Sequence, residues 1–275
     1  MLEIPEAATL ASQVDTALKG KVIAAVEAAH SPHKFAWFQG DPAEYPRLLV
    51  AKSITGARPV GGMVEISADD VNIVLSDGAN LAFHLPGEPL PKKHQLLIQF
   101  KDNSSLTVSI QMYGGILAFS RGAADNPYYL TAVAKPSPLS EDFDHAYFEG
   151  LLSPQEMAKM SAKAFLATEQ RIPGLGNGTL QDILYNAHIH PKRKVASFTQ
   201  VEINALYKSI VATLAEMVGA GGRDTEKDLF GRSGGYRTKC SKKTVGSACE
   251  VCGGVIEKAS YMGGSVYFCP GCQPL

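Results

Sequence analysis

Cysteine is scarce in this chain of 275 residues: there are 5, and four of them fall within the last 27 positions. That scarcity excludes a disulfide framework, and the clustering points to a reducing compartment and a metal site. No run of 18 apolar residues occurs, which excludes an ordinary membrane-spanning helix. The opening Met1-Leu2-Glu3-Ile4-Pro5-Glu6 lacks the basic-then-apolar order of a secretion signal, so the expected location is cytoplasmic. Internal repeats are absent. Net charge is nearly absent too, with 26 Lys+Arg against 27 Asp+Glu for a formal −1. Taken alone, that sum argues against a nucleic-acid binder. The balance is uneven, however: residues 1–150 carry a net of −6 and residues 151–275 a net of +5. A basic second half restores the possibility.

What is present is enough apolar material, 45% of the residues, for two domains with cores of their own. Ala7, Leu10, Ala11, Val14, Ala17 and Leu18 recur at three and four, which predicts an amphipathic helix over 6–19, stopped by Gly20. From about Lys21 the text changes to short β-rich runs: 22–26, 63–66, 71–75, 81–85, 96–100, 106–110 and 116–119. Turn signals such as Ser76-Asp77-Gly78 separate them. The expected fold class is α+β and multidomain. A leading helix and an antiparallel β-sandwich over 1–121 precede a Pro-, Ala- and Ser-rich linker over 122–140. A helical domain over 141–240 and a cysteine hairpin over 241–275 follow. Helices are expected over 151–168, 178–187, 199–218 and 225–230.

Cys249-Glu-Val-Cys252 and Cys269-Pro-Gly-Cys272 are two C-x-x-C knuckles separated by 16 residues, a spacing that suits a β-hairpin with both knuckles at one end. Four thiolates imply one tetrahedral Zn2+ with no open position, hence a structural ion. Cys240 is left over as a free thiol. Further upstream, Ile172-Pro-Gly-Leu-Gly-Asn177-Gly-Thr-Leu-Gln-Asp182 is a glycine-rich turn opening a helix. Such a turn exposes backbone N–H groups to a phosphate, with the helix dipole assisting. Asn177 can cap that helix and donate to a phosphate.

With these residues in view, the sequence resembles the formamidopyrimidine-DNA glycosylase and endonuclease VIII family along nearly its whole length. Leu2-Glu3-Ile4-Pro5-Glu6 is similar to the family's N-terminal Pro-Glu-Leu-Pro-Glu. Gly174-Leu-Gly-Asn177 with Ile189-His-Pro191 resembles its helix–two-turns–helix signature, and the cysteine pairs resemble its zinc finger. The resemblance implies double-stranded, damaged DNA as the partner of a monomer, held in a cleft between the domains. It implies Gly176, Asn177, Lys163, Gly264 and Arg58 as DNA-contacting positions, and Glu3 as catalytic acid/base with Glu6 in support.

The chain departs from the family at the nucleophile. There the family uses the α-amine of a mature N-terminal proline, a group whose ordinary pKa near ~8 suits Schiff-base chemistry. Here that position is Leu2. Initiator methionine is normally trimmed only ahead of a small residue, so Met1 is expected to remain. Its amine then lies one residue, roughly 3.5 Å, from the family position. The family's early hairpin lysine is also missing, with Gly61-Gly62 near its place and Arg58 close by, and its hairpin-tip arginine corresponds to Gly263 or Gly264. Gln111-Met112-Tyr113 and His84-Leu85-Pro86-Gly87 are candidates for wedges that fill the space of an extruded base. The ring-dense run from His30 to Phe38 could stack on bases or form a strand edge. Three readings follow: a glycosylase with an altered or absent lyase step, a non-catalytic binder of damaged DNA, and a conventional bifunctional glycosylase and abasic-site lyase.

Overall fold

The computed structural model describes residues 1–275. Helix α1 (Ile4–Leu18) begins with Pro5 in its first turn, where a missing N–H costs nothing, and gives way to Gly20 at φ 83°. Its buried face, Ala7, Leu10, Ala11, Val14 and Leu18, belongs to the core of a two-sheet sandwich. The strands are β1 (Ile23–Ala28), β2 (Ala36–Phe38), β3 (Ile54–Val60), β4 (Met63–Ala68), β5 (Val71–Leu75), β6 (Ala79–His84), β7 (Leu96–Phe100), β8 (Ser105–Ile110) and β9 (Gly114–Ser120). One sheet runs β1-β7-β8-β6 and the other β2-β9-β5-β4-β3. All pairings are antiparallel except β2 with β9. Central β5 is buried throughout, which is why it reads as an unbroken apolar run.

Five local features depart from the expectations. Strand β3 carries Gly56 and Pro59, poor strand formers, yet it lies at a sheet edge where a missing N–H is tolerated. A short helix α2 (Tyr45–Leu49) also precedes it. Within the stretch read as linker, α3 (Pro127–Ala134) forms, because Asn126 Oδ1 accepts from Tyr128 N at 3.0 Å and Tyr129 N at 3.1 Å. Its Tyr129 and Ala132 then bury against Val60, Met63, Val74, Leu117 and Phe119. The single helix expected over 151–168 is broken at Ser153-Pro154 into α4 (His145–Leu152), a 3₁₀ turn (Gln155–Lys159) and α5 (Ala162–Ala167).

No helix forms over 225–230. Leu229 is instead drawn into the sandwich core, its N–H donating to Gln13 Oε1 and its carbonyl accepting from Phe83 N, both at 3.0 Å. Here tertiary partners satisfy the backbone in place of a helix.

The second core gathers α4, α5, α6 (Thr179–Asn186) and α7 (Gln200–Gly219), and Ile4 of α1 is packed into it. The N-terminus therefore belongs to both domains. The terminal hairpin is β10 (Glu257–Tyr261) and β11 (Gly264–Phe268), joined by Met262-Gly263 at φ 50° and 70°, the conformation of a tight two-residue hairpin turn.

Candidate functional site

Between the two domains lies a cleft of about 710 Å3, lined among others by Glu3, Asp77, Tyr113, Lys163, Asn177 and Gly263. Glu3 stands at the N-cap position of α1 but does not cap it. Its carboxylate turns across to the glycine-rich turn and accepts from Gly178 N at 2.8 Å and Thr179 N at 2.7 Å, which anchors it on the first N–H groups of α6. The two flanking glycines make room. A Cβ on Gly176 would stand 2.6 Å from Glu3 Cδ, and one on Gly178 would stand 1.6 Å from a guanidinium nitrogen of Arg223.

That arginine is the partner sequence reasoning missed. Arg223 is buried, with Nε 2.9 Å from Glu6 Oε1, Nη2 2.7 Å from Glu6 Oε2 and Nη1 3.7 Å from Glu3 Oε2. Burial works against its charge, but the two carboxylates outweigh that and raise its pKa above the ordinary arginine range. Glu6 is thus the ion-pair partner of Arg223. Its only sequence signal was a lone arginine after two glycines, 217 residues away along the chain.

Met1 lines the cleft, but its α-amine pairs with Glu226, which is not among the lining residues. Leu2 is buried, and its N–H donates to the Asp77 carbonyl at 2.6 Å. Asp77, read from sequence only as part of a turn, lines the cleft at φ 54°. Burial raises its pKa above the carboxylate norm, opposed by contacts from Ser76 and Tyr128. With Glu3 and Glu169 it is one of three acids lining the cleft, and position in a turn could not have disclosed it.

Asn177 is corrected in one respect. The N-cap of α6 is Gly178, and the Asn177 amide donates instead to Ser265 O at 3.0 Å on β11. Its Oδ1 is buried without a partner. Gln181, one turn on, also donates to Ser265 O, at 3.2 Å, and accepts from Tyr267 N at 3.0 Å. Together the two amides dock the hairpin on α6. Lys163 Nζ donates to Tyr261 O at 2.8 Å, beside the hairpin turn. Burial holds its ammonium below the ordinary lysine range.

Gly264 is not the hairpin tip, which is Met262-Gly263; it opens β11 opposite Tyr261. A Cβ there would lie 3.4 Å from Lys163 Nζ. Arg58 stands apart from these residues. It forks onto Glu65 at 2.7 and 3.2 Å and is not among the residues lining the cleft. Of the wedge candidates, Met112 and Tyr113 line the cleft, whereas Gln111 and residues 84–87 do not. Met112 is 71% exposed, and Trp37 from the ring-dense run sits with its ring 6.1 Å from that of Tyr113.

The four cysteines converge at the base of the hairpin, with all Sγ atoms within 4.8 Å of one another. Cys249 and Cys272 are 3.7 Å apart and Cys252 and Cys269 3.4 Å, so the group can hold a metal ion. Tyr185 Oη lies 3.1 Å from Cys249 Sγ. Cys240 is outside the group, a buried free thiol that burial pushes above the thiol norm.

Comparison with known proteins agrees with this architecture. Residues 135–228 match the formamidopyrimidine-DNA glycosylase H2TH domain. The chain is 28% identical to a formamidopyrimidine-DNA glycosylase of Cytobacillus firmus, over 99% of this chain and 100% of the relative. It is 26% identical to one of Streptococcus pneumoniae, over 99% of both. Its fold matches the Lactococcus lactis Fpg in complex with abasic-site DNA at a TM-score of 0.85, with 24% identity over 99% of this chain and 100% of that one. MutM (Fpg) of Thermus thermophilus matches at 0.82, with 25% identity over 98% of each. Together the helical-domain match, the full-length relatives and the shared fold make this chain similar, along its whole length, to the formamidopyrimidine-DNA glycosylases.

Proposed function

We propose that the chain binds damaged duplex DNA in the cleft as a monomer and removes a damaged base by cleaving its N-glycosidic bond. In this reading Glu3 is the acid/base, and the amine-nucleophile lyase step is altered or absent. One observation carries it: a carboxylate is held at the cleft by two backbone donors of α6, so its position is set before any substrate arrives. The relatives are named as glycosylases, and solved complexes of the shared fold contain abasic-site and FAPY-dG DNA. A buried base must leave the stack to reach such an acid. Met112 and Tyr113 are the side chains to fill the vacated space, Lys163, Asn177 and Gly176 lie where the backbone would pass, and Asp77 is a further acid within the same cleft.

The four cysteines take one structural Zn2+. Tetrahedral zinc with bonds near ~2.3 Å separates its sulfurs by about 3.8 Å, close to the observed 3.7 and 3.4 Å. The ion would hold β10 and β11 against α6 as a grip on the duplex.

The second reading, a non-catalytic binder, is favoured by the Met1 amine being paired with Glu226 and by the burial of Leu2. The third, a conventional bifunctional enzyme, requires that amine to be freed or Met1 to be removed. Duplexes carrying an abasic site, 8-oxoguanine, an oxidised pyrimidine or an alkylated base, incubated with and without borohydride, distinguish the three. Base release without a trapped adduct, lost in Glu3→Gln, is the expected result. A trapped adduct supports the amine, and binding with neither release nor adduct leaves only the binder. Intact mass reports whether Met1 is retained.

A further inference from the structure

Away from the cleft, at the β1–β7 edge of the four-stranded sheet, three potential metal ligands converge without sharing a residue with the cysteine group. Glu27 lies near the end of β1, His30 on the turn that follows, and His94 just before β7. His30 Nδ1 is 2.6 Å from Glu27 Oε1, and His94 Nε2 is 3.6 Å from Glu27 Oε2. The three ligand atoms lie within 4.8 Å of one another.

His94 supplies the independent observation. Its residue is 5% exposed, and its Nδ1 lies 3.0 Å from the Pro91 carbonyl, which can only accept, so Nδ1 carries the proton. In the neutral ring Nε2 is then a lone pair, buried with no hydrogen-bond partner and 3.6 Å from a carboxylate oxygen that likewise has only lone pairs to offer. Leaving such an acceptor unanswered is costly. A cation between Nε2 and Glu27 removes that cost, and two imidazoles with one carboxylate are ligands of the kind that zinc and its neighbours prefer. A hydrogen bond from the other ring nitrogen to a backbone carbonyl, as His94 makes to Pro91, is also the usual way in which a metal-bound histidine is held in its tautomer.

The backbone around the three residues is firmly framed. Ala29 N donates to Gln95 O at 2.7 Å, Ser31 N to His94 O at 3.0 Å, and Gln95 Nε2 to Ser31 O at 3.0 Å. Ala29 adopts φ 58°, a left-handed conformation costly for a residue with a Cβ, and it turns the chain so that His30 comes back over Glu27. We infer that Glu27, His30 and His94 form a second metal site, for a divalent first-row transition ion such as Zn2+, with an open coordination position toward solvent. The rings of His30 and His94 are stacked at 4.4 Å and 5°, and parallel stacked rings cannot both aim a lone pair at one ion. Binding therefore swings the exposed His30 ring out of the stack, while buried His94 stays in place.

Zinc-loaded full-length chain dialysed against dilute Zn2+ and assayed for metal per chain tests the inference. Wild type should hold two ions, and His30→Ala and His94→Ala one each. One ion in wild type, or two retained in both variants, overturns it, the latter as adventitious surface binding. Because His94→Ala could disturb folding, the exposed His30→Ala and a spectrum serve as independent measures. Co2+ added to chain from which mild chelation has left one Zn2+, in the cysteine group, should give d–d absorption without thiolate charge transfer, absent in His30→Ala. No such bands in wild type means that a proton alone answers Nε2, and the site is then no metal site.

Discussion

A guanidinium taken out of water persists only if its charge is answered, and Arg223 is answered by both N-terminal glutamates. The cluster leaves one surplus negative charge, which faces the N–H groups of Gly178 and Thr179. Removing the cation strands two carboxylates at 3% and 4% exposure, so Arg223→Ala should cost about 3–5 kcal/mol in urea unfolding. A loss within about 0.5 kcal/mol, the usual surface value, would contradict a buried pair. Asp77 tests the same cleft by pH. Burial raises its folded pKa above 3.8, so the folded chain holds that proton more tightly than the unfolded chain. Stability contributed by the protonated acid is therefore complete below pH 3.8 and is lost as pH rises through the raised value. Asp77→Asn should flatten that fall and leave the protein more stable at pH 7. Thermal midpoints that track wild type across the range would show the group to be unperturbed.

Among the helices, α7 follows its sequence signals closely. Thr199 and Glu202 form a reciprocal capping box, and Arg193 bonds Glu202 from outside the helix. Hydrogen bonding from Arg193, opposed by burial, brings Glu202 down to about 2. The stability this carboxylate supplies is thus present above 4.5 and lost as pH falls toward about 2. Glu202→Gln should remove most of that acid-sensitive component. Thr199→Ala should cost about 1 kcal/mol at neutral pH by denaturant titration. For the hairpin, Cys269→Ser or chelation should release β10 and β11 from α6 and weaken duplex binding while the sandwich remains folded. Unchanged affinity after metal loss would remove the hairpin from the DNA grip.

For the whole molecule, the separation of charge matters more than its sum. Residues 1–150 are net −6 and residues 151–275 net +5. A duplex seated in the cleft should be held chiefly by the second half, with affinity falling linearly in log salt concentration as counterions are released. Filter-binding or anisotropy titrations over a salt series measure the slope, and a flat line would exclude phosphate contacts. Lys163→Ala should make the slope shallower as well as loosen the Tyr261 carbonyl. No helix is long and apolar enough to cross a membrane.

Short-range rules were sufficient for α1, α7, most strands and the cysteine hairpin, because periodicity, capping and ligand spacing act over a few residues and are written locally. The resemblance brought Glu3 and Glu6 to notice for the same reason. Tertiary structure alone decided that Glu3 caps a helix of the other domain, that Glu6 belongs to Arg223, and that Asn177 is committed to the hairpin. It also turned Asp77 from a turn residue into a cleft acid, drew Leu229 into the sandwich instead of a helix, and kept the Met1 amine beside Glu226. In each case the deciding partner lies far along the chain. What selects it is desolvation, which requires every buried charge and polar group to find an answering group wherever the fold happens to bring one.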